Sequence, residues 1–171
     1  AGLMLAAIIS DTLLFRSPTC TKIDKEIALE LASIAGVDAE EFGLAMFKAG
    51  TSLVGKTIEE IYNQDYKAFN IGDAKVGIAQ VNTMDIDGFA PLKGEMLEYM
   101  ENLCVENGFD TAVLLLTDVI NATSEVFVAG SHPEYVENAF NVQLVEHEAN
   151  LPGVISRKKQ VVPAITRAIN A

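Results

Sequence analysis

The residues best suited to chemistry in this sequence form a short run of cations near its end. Ser156 to Gln160 reads SRKKQ, so Arg157, Lys158 and Lys159 follow one another between the apolar stretches GVI and VVPAI. The planar guanidinium of arginine matches phosphate oxygens in a bidentate way, and lysine adds a point charge. The run can therefore bind an anion, or it can be a solvated charge cluster, which is the commoner case. Alternation along an extended segment would put Lys158 on the opposite face, so a shared site requires a bend.

Two further charged residues could take part in the same chemistry. Asp11 comes just past an apolar helix, where a carboxylate can either cap the helix end or coordinate a hard cation. One carboxylate alone is not a metal site, so the residue leaves both readings open. Lys67, in the stretch DYKAF, by itself indicates an exposed lysine near the end of a strand.

Several familiar catalytic patterns are missing. The sequence has no Walker loop, no dinucleotide glycine fingerprint, no nucleophile elbow and no zinc-type spacing. His132 and His147 have no predicted carboxylate partner and are interpreted as structural or surface residues. Asp118, after a strand, is interpreted as a turn-forming residue. An acidic residue and a separate basic group, without a nucleophile and base pair, favour metal-assisted attack on a phosphate or a non-catalytic binding module. They do not favour acyl transfer.

The overall charge excludes some partners. The 171 residues carry 12 lysines and arginines against 24 aspartates and glutamates, a net charge of -12. Such a surface repels nucleic acid and anionic lipid, so any anion site must be local. No apolar stretch reaches the roughly 18 to 20 residues that a membrane helix needs, so we expect no membrane partner. Cys20 and Cys104 are too few for a disulfide framework, which favours a reducing cytoplasmic location.

The first third of the sequence predicts three helices. An apolar helix runs from Gly2 to about Ile9, and a second is capped by Thr21 and ends at Gly36. A third is capped by Asp38 and ends at Gly50. In the second helix, the apolar positions are Ile23, Ile27, Leu31 and Ile34.

The rest of the sequence predicts a mixed sheet with helices. After TSLVGK, residues 51–56, a capping box starts a short helix at Thr57, and Gly72 with Asp73 marks a hairpin. The further expected elements are a long helix ending at Gly108, a central strand DTAVLLLTDVI, a strand SEVFVAG, a short helix capped by Ser131 with Glu134, an edge strand Asn141 to Val145, and a last helix with Pro163 in its first turn. The fold class is therefore α+β or α/β: a helical segment, residues 1–50, a linker, 51–56, and a mixed-sheet domain flanked by helices, 57–171.

Several of these stretches together resemble one known family. They are AGLMLAAIISDTLLFRSPTCT, AGVDAEEFGLAMFKAG, DYKAF, IAQVNT and GVISRKKQVVPAI. In this order they resemble the C-terminal part of family II, manganese-dependent inorganic pyrophosphatases of the DHH phosphoesterase superfamily. The resemblance covers the whole chain.

The resemblance implies an enzyme that hydrolyses pyrophosphate to two phosphates with a metal-activated water, in a cleft between two domains. It gives Asp11 the role of a metal ligand, and Lys67, Arg157 and Lys158 the role of binding substrate phosphates. It implies manganese, or cobalt or magnesium, as the cofactor and a homodimer as the assembly. Residues 1–50 correspond to the helical end of the DHH domain and residues 57–171 to the DHH-associated domain.

One departure from the family is large. The N-terminal HxPDxD and DHH motifs, which supply most metal ligands and a catalytic histidine, do not occur between Ala1 and Ala171. We therefore expect the catalytic residues upstream of Ala1, and we expect this chain alone to be inactive and to bind metal weakly. The alternatives are a phosphoesterase of the same superfamily that acts on short polyphosphate or another phosphoester, and a non-catalytic phosphate-binding module.

Overall fold

The computed structural model describes all residues, 1–171, and divides them into two compact units. Unit 1 is Ala1–Ser52 and unit 2 is Leu53–Ala171. None of the helices combines the length and the apolar character needed to cross a membrane.

Unit 1 consists of three helices: α1 (Gly2–Thr12), α2 (Lys22–Ala35) and α3 (Ala39–Gly50). The predicted caps of α2 are confirmed, because Thr21 and Asp24 form a reciprocal capping box and Gly36 ends the helix in the left-handed conformation. Asp38 caps α3 by accepting hydrogen bonds from two backbone N–H groups. These local signals set the helix boundaries, since each satisfies backbone groups that a helix end leaves unpaired.

The buried face of α2 contains only one of the four apolar positions noted in the sequence, Leu31. Ala28, Leu31 and Ala32 are buried, whereas Ile23 is 64% and Ile34 69% exposed. Two alanines thus share the buried face with Leu31, whereas the isoleucines of α2 are exposed. Helical spacing alone does not tell which of two apolar faces of a helix is covered.

Unit 2 contains a five-stranded sheet and four helices. Its elements are α4 (Ile58–Tyr62), β1 (Tyr66–Ile71), β2 (Ala74–Thr83), α5 (Lys93–Asn107), β3 (Thr111–Asp118), β4 (Thr123–Gly130), α6 (Glu134–Phe140), β5 (Glu148–Pro152) and α7 (Val162–Ile169). A 3-10 turn, Asn63–Asp65, precedes β1, and a π turn, Arg157–Val161, leads directly into α7.

The strands lie in the order β1-β2-β3-β4-β5, and only β2 and β3 are parallel. The other three pairs are antiparallel, and β1 and β2 are joined at the predicted hairpin, where Gly72 has a φ of 61°. Every residue of β3 is buried, as expected for the central strand. The mixed sheet flanked by helices that the sequence predicted is therefore confirmed.

The two faces of the sheet carry separate apolar cores. One face packs against α4 and α5, with Ile61, Met96 and Met100 among its fully buried side chains. The other packs against α6 and α7 through Val136 and Ile165. Even-numbered residues of β2, such as Val76 and Ile78, point to this second face, which is also the face under the π turn.

Two predicted details of unit 2 were wrong. Ser131 does not cap α6; Pro133 occupies that position, and the Ser131 hydroxyl instead bonds to the carbonyl of Asp110 at 3.4 Å. The edge strand is β5, not residues 141–145, of which only Val145 forms a bridge, with Glu148. Asn141 ends α6 with a φ of 53°, so the chain turns there and cannot yet extend.

Candidate functional site

Arg157 lies at the start of the π turn with its side chain directed into unit 2. The side chain is only 8% exposed and forms an ion pair with Asp65, with Nη2 at 2.6 Å from Oδ1. Nη1 donates to the backbone carbonyls of Asp65 and Ile78. The SRKKQ run is therefore not a uniformly solvated charge cluster, because its first cation is fixed inside the fold.

Lys67 lies close to this guanidinium in the sheet. It is paired in register with Ile78, whose carbonyl accepts from Arg157, and it follows Asp65 by two residues. Cross-strand partners share a face, so Lys67 extends from the face on which the π turn packs. Its side chain is exposed and makes no hydrogen bond or ion pair within the chain. Unit 2 therefore brings two of the predicted site residues together.

Lys158 is the exposed neighbour of the buried Arg157. The bend that a shared site requires is supplied by the π turn, a geometry that often occurs at functional sites. The backbone N–H of Lys158 makes no hydrogen bond within the chain, since it lies in the first turn of the helical stretch that continues into α7. A free N–H and a lysine charge at a helix start both favour an anion.

Two glutamines hold the segment that carries these cations. Gln80 donates to the carbonyl of Ile155 at 3.0 Å and accepts from the N–H of Arg157 at 3.1 Å. Gln160 accepts from the N–H groups of Ile155 and Ser156 and donates to the carbonyl of Gly153. The backbone of this loop is thus fixed by side chains and not by a strand partner.

A buried polar row continues from Gln80 beneath the loop. Gln80 donates to the hydroxyl of Thr117, which bonds to Ser124 at 2.9 Å, and Ser124 donates to the carbonyl of Val154 at 2.6 Å. The row crosses β2, β3 and β4 and ends on the loop before Arg157. Because its members satisfy one another, the loop is held rigidly over the end of the sheet.

Asp11 belongs to unit 1 and lies in the last turn of α1, not beyond the helix as predicted. Its carboxylate is exposed and has no hydrogen-bond or ion-pair partner in the chain, while its carbonyl accepts from Thr19 at 3.2 Å. Leu13, Leu14 and Phe15 follow with positive φ, which ends the helix abruptly. No group of three or more His, Cys, Asp or Glu side chains in the chain is arranged to hold a metal ion. The residues present therefore do not form a metal site by themselves.

The remaining candidates have structural partners. Asp118 accepts from the N–H groups of Ile120 and Asn121, which is the predicted turn. His132, for which the sequence indicated no carboxylate partner, lies 2.7 Å from Glu134 and lowers the pKa of that carboxyl by hydrogen bonding. His147 contacts the carbonyl of Val128.

Cys104 is not an activated nucleophile. Both cysteines are free, and burial raises the pKa of the Cys104 thiol to about 11. A thiol with such a pKa is almost fully protonated at neutral pH, and the thiolate is the reactive form.

Sequence reasoning missed three residues of this site. Asp65 and Gln80 lie in the quoted stretches DYKAF and IAQVNT, and Gln160 ends SRKKQ. Asp65 and Gln160 lie within two residues of a lysine in the quoted stretches. Gln80 lies in a strand whose neighbouring residues are mostly apolar. A polar residue inside an apolar strand requires a partner, which is how Gln80 could have been found.

The chain is similar to known proteins of one family. The family described as DHHA2 domain matches residues 44–168. A cobalt-dependent inorganic pyrophosphatase of Clostridium perfringens is 59% identical over 169 residues, which are 99% of this chain and 31% of that protein. The manganese-dependent inorganic pyrophosphatase of Bacillus subtilis is 50% identical over 99% of this chain and 55% of its own length.

A solved structure is similar over almost the whole chain. The crystal structure of a Methanococcus jannaschii protein, described as a putative family II inorganic pyrophosphatase, superposes with a TM-score of 0.90 at 44% identity. It is matched over 99% of this chain and 55% of its own. The chain thus spans about half the length of most of these relatives, and about a third of the one from C. perfringens.

Proposed function

Since this chain belongs to the DHHA2 domain family, we propose that it forms the phosphate-binding part of a family II inorganic pyrophosphatase, which hydrolyses pyrophosphate to two phosphates. The observation that carries the proposal is the junction of two cationic segments on one face of the sheet. Arg157 bonds to the carbonyl of Ile78, the register partner of Lys67, and Lys158 follows it on the surface. In a chain of net charge -12, such a local concentration of cations favours an anionic ligand.

The three cations bind and orient the substrate. Pyrophosphate carries several negative charges, and charge moves toward the departing phosphate when the bridging bond breaks. Fixed cations stabilise that charge without having to reorganise, which is the largest single contribution in phosphoryl transfer. Arg157 supplies a fixed plane of donors, whereas Lys67 and Lys158 supply exposed charge.

Metal binding requires more than this chain. The curated relatives are named for manganese or cobalt, and Asp11 is the proposed ligand in these 171 residues. The other ligands would come from parts of the whole enzyme outside this sequence, as would the catalytic residues. The chain alone is then expected to bind manganese weakly and to have little or no activity.

We also propose the domain organisation, the location and the assembly of the whole enzyme from the similarity to this family. Residues 1–50 would be the end of a DHH domain, residues 51–56 a linker and residues 57–171 the DHH-associated domain, in a cytoplasmic homodimer. Light scattering of the full-length protein measures its mass; twice the chain mass is expected, and a monomer mass would overturn the dimer.

The test of function is phosphate release from pyrophosphate by the full-length protein with manganese present. We expect hydrolysis, and a kcat/KM about 10- to 100-fold lower in Lys67→Ala, the loss that follows from removing one charged contact. The control is Lys48→Ala, which removes an exposed lysine from α3 and should change little.

Two results would favour the alternatives. Faster hydrolysis of tripolyphosphate than of pyrophosphate would make the protein a polyphosphate-directed phosphoesterase. Binding of imidodiphosphate, a pyrophosphate analogue with a bridging nitrogen, without hydrolysis of any phosphoanhydride would indicate a non-catalytic module.

A further inference from the structure

We propose that Asp65 is a positioning residue that holds Arg157 so that one edge of its guanidinium faces the substrate phosphate. The inference rests on the proposed function, and it adds a residue to the binding machinery. Asp65 contacts Arg157 twice, through its carboxylate and through its backbone carbonyl. It therefore fixes both the distance and the plane of the guanidinium.

The pattern of used donors defines which edge is free. Both Nη1 donors are taken by the carbonyls of Asp65 and Ile78, and one Nη2 donor by Asp65 Oδ1. The Nε–H and the second Nη2–H have no partner in the chain. These two donors lie side by side on a guanidinium, in the fork that matches two oxygens of one phosphate group.

The free edge is not sealed inside the protein. The buried polar side-chain atoms without a hydrogen-bond partner are Tyr62 Oη, Asn82 Oδ1 and Glu125 Oε2, and no atom of Arg157 is among them. Asp65 itself is 55% exposed, so it holds the 8% exposed arginine from the rim of the fold. The anchor thus covers one edge of the guanidinium, and on the other edge the unpartnered Nε is not fully buried.

Asp65 also joins the two cationic segments. It ends the 3-10 turn that leads into β1, so only Tyr66 separates it from Lys67. Asp65 therefore links the segment that carries Lys67 to the guanidinium of Arg157. A fixed link between two cationic segments limits the change in their spacing, which favours a ligand with two phosphates.

A positioning role predicts that removing the Asp65 carboxylate weakens pyrophosphate binding, whereas the change in local charge alone predicts tighter binding. Asp65 is a negative charge next to a site for an anion, so its removal raises the local positive charge. Were charge alone important, Asp65→Ala would bind pyrophosphate more tightly. Were positioning important, the same variant would bind it more weakly, because the guanidinium would lose its fixed plane.

The experiment measures imidodiphosphate binding by calorimetry and kcat/KM for pyrophosphate in the full-length protein. We expect Asp65→Ala to weaken binding and lower kcat/KM about 10- to 100-fold, the scale of a group displaced by about 1 Å. Asp65→Asn keeps an acceptor at Oδ1 and should restore most of the loss. Asp73→Ala removes an exposed carboxylate from the other end of the same hairpin and should leave both values unchanged.

Further variants separate positioning from general damage to the fold. In an Arg157→Ala background, Asp65→Ala should cause no additional loss, because the residue acts through the arginine. Should Asp65→Ala fail to fold, Asp65→Ser removes the carboxylate and keeps a small polar side chain at the rim.

The outcomes distinguish this inference from the proposed function. Unchanged or tighter binding in the variant without the carboxylate would overturn the positioning role, as would an equal loss in Asp65→Asn. A full-length wild type that neither binds imidodiphosphate nor hydrolyses pyrophosphate would overturn the proposed function, and the positioning role with it.

Discussion

The side chain of Gln80 accepts a hydrogen bond from the backbone N–H of Arg157 at 3.1 Å, across 77 residues of sequence. The same side chain donates to Thr117 on the neighbouring strand and to the carbonyl of Ile155. One amide thus ties the sheet to the loop that carries the cations. The relationship makes the position of Arg157 depend on β2 as well as on Asp65.

Replacing Gln80 with leucine should destabilise the protein. The change leaves the N–H of Arg157 and the carbonyl of Ile155 without partners, and each unsatisfied group costs about 1 to 3 kcal/mol. We expect a loss of at least about 2 kcal/mol in the free energy of unfolding, measured by urea denaturation followed by circular dichroism. Gln143→Leu changes an exposed glutamine in the same way and should cost little. Equal losses in the two variants would contradict the role of Gln80.

Gln160 should control the opening of the loop without controlling the whole fold. Its side chain holds the N–H groups of Ile155 and Ser156 and the carbonyl of Gly153. Gln160→Ala should therefore speed hydrogen exchange at residues 153–157, while exchange in β3 stays slow. Mass spectrometry of peptides from both regions measures this. Unchanged exchange in the loop peptide would show that another contact holds it.

Most of the fold could be predicted from local signals. Thr21, Asp38 and Thr57 were recognisable as caps, and the Gly72–Asp73 turn and the buried strand β3 followed from residue type and alternation. The burial of Ala28 instead of Ile23, and the position of the edge strand, could not be predicted in the same way. Both depend on which neighbouring surface is present, and periodicity within one element does not contain that information.

The sequence singled out the cations of the candidate site but not the residues that anchor them. Arg157 and Lys158 stood out as charges between apolar stretches, whereas Lys67 was singled out only by the resemblance. The depth of Arg157 and its bond to Asp65 depend on a contact between residues 92 positions apart. No spacing rule reports such a contact, because strand pairing and the π turn create it. The metal-binding role of Asp11, and the substrate contacts of the cations, stay predictions.

Gly130 should not tolerate a side chain. It ends β4 with a φ of 105°, and a Cβ there would lie 2.5 Å from the carbonyl oxygen of Asp110. Gly130→Ala should lower the free energy of unfolding by about 2 kcal/mol or more, since strain and overlap add. Gly94→Ala is the matched control, because nothing lies within 4 Å of its Cβ position in α5 and alanine favours a helix. A smaller loss in Gly130→Ala than in Gly94→Ala would contradict the geometry.

Cys104 should remain unreactive over a wide pH range. Burial raises its pKa from 9.0 to about 11, so the folded state favours the protonated thiol. The stability from this preference is present below about pH 9 and is lost as the pH rises toward 11. At pH 8 and at pH 9.5, a thiol reagent should modify Cys20 quickly and Cys104 only after unfolding. A folded Cys20→Ser variant that still reacts quickly would contradict this.

Arg157 is proposed to bind the substrate phosphate, and the comparison of two arginine variants tests this role. Arg157→Ala and Arg167→Ala each remove one arginine from the helical stretch formed by the π turn and α7, but Arg167 is exposed and has no partner in the chain. Imidodiphosphate affinity of the full-length protein should fall about 10- to 100-fold in the first variant and stay at the wild-type value in the second. Equal affinity in wild type and Arg157→Ala would contradict the account.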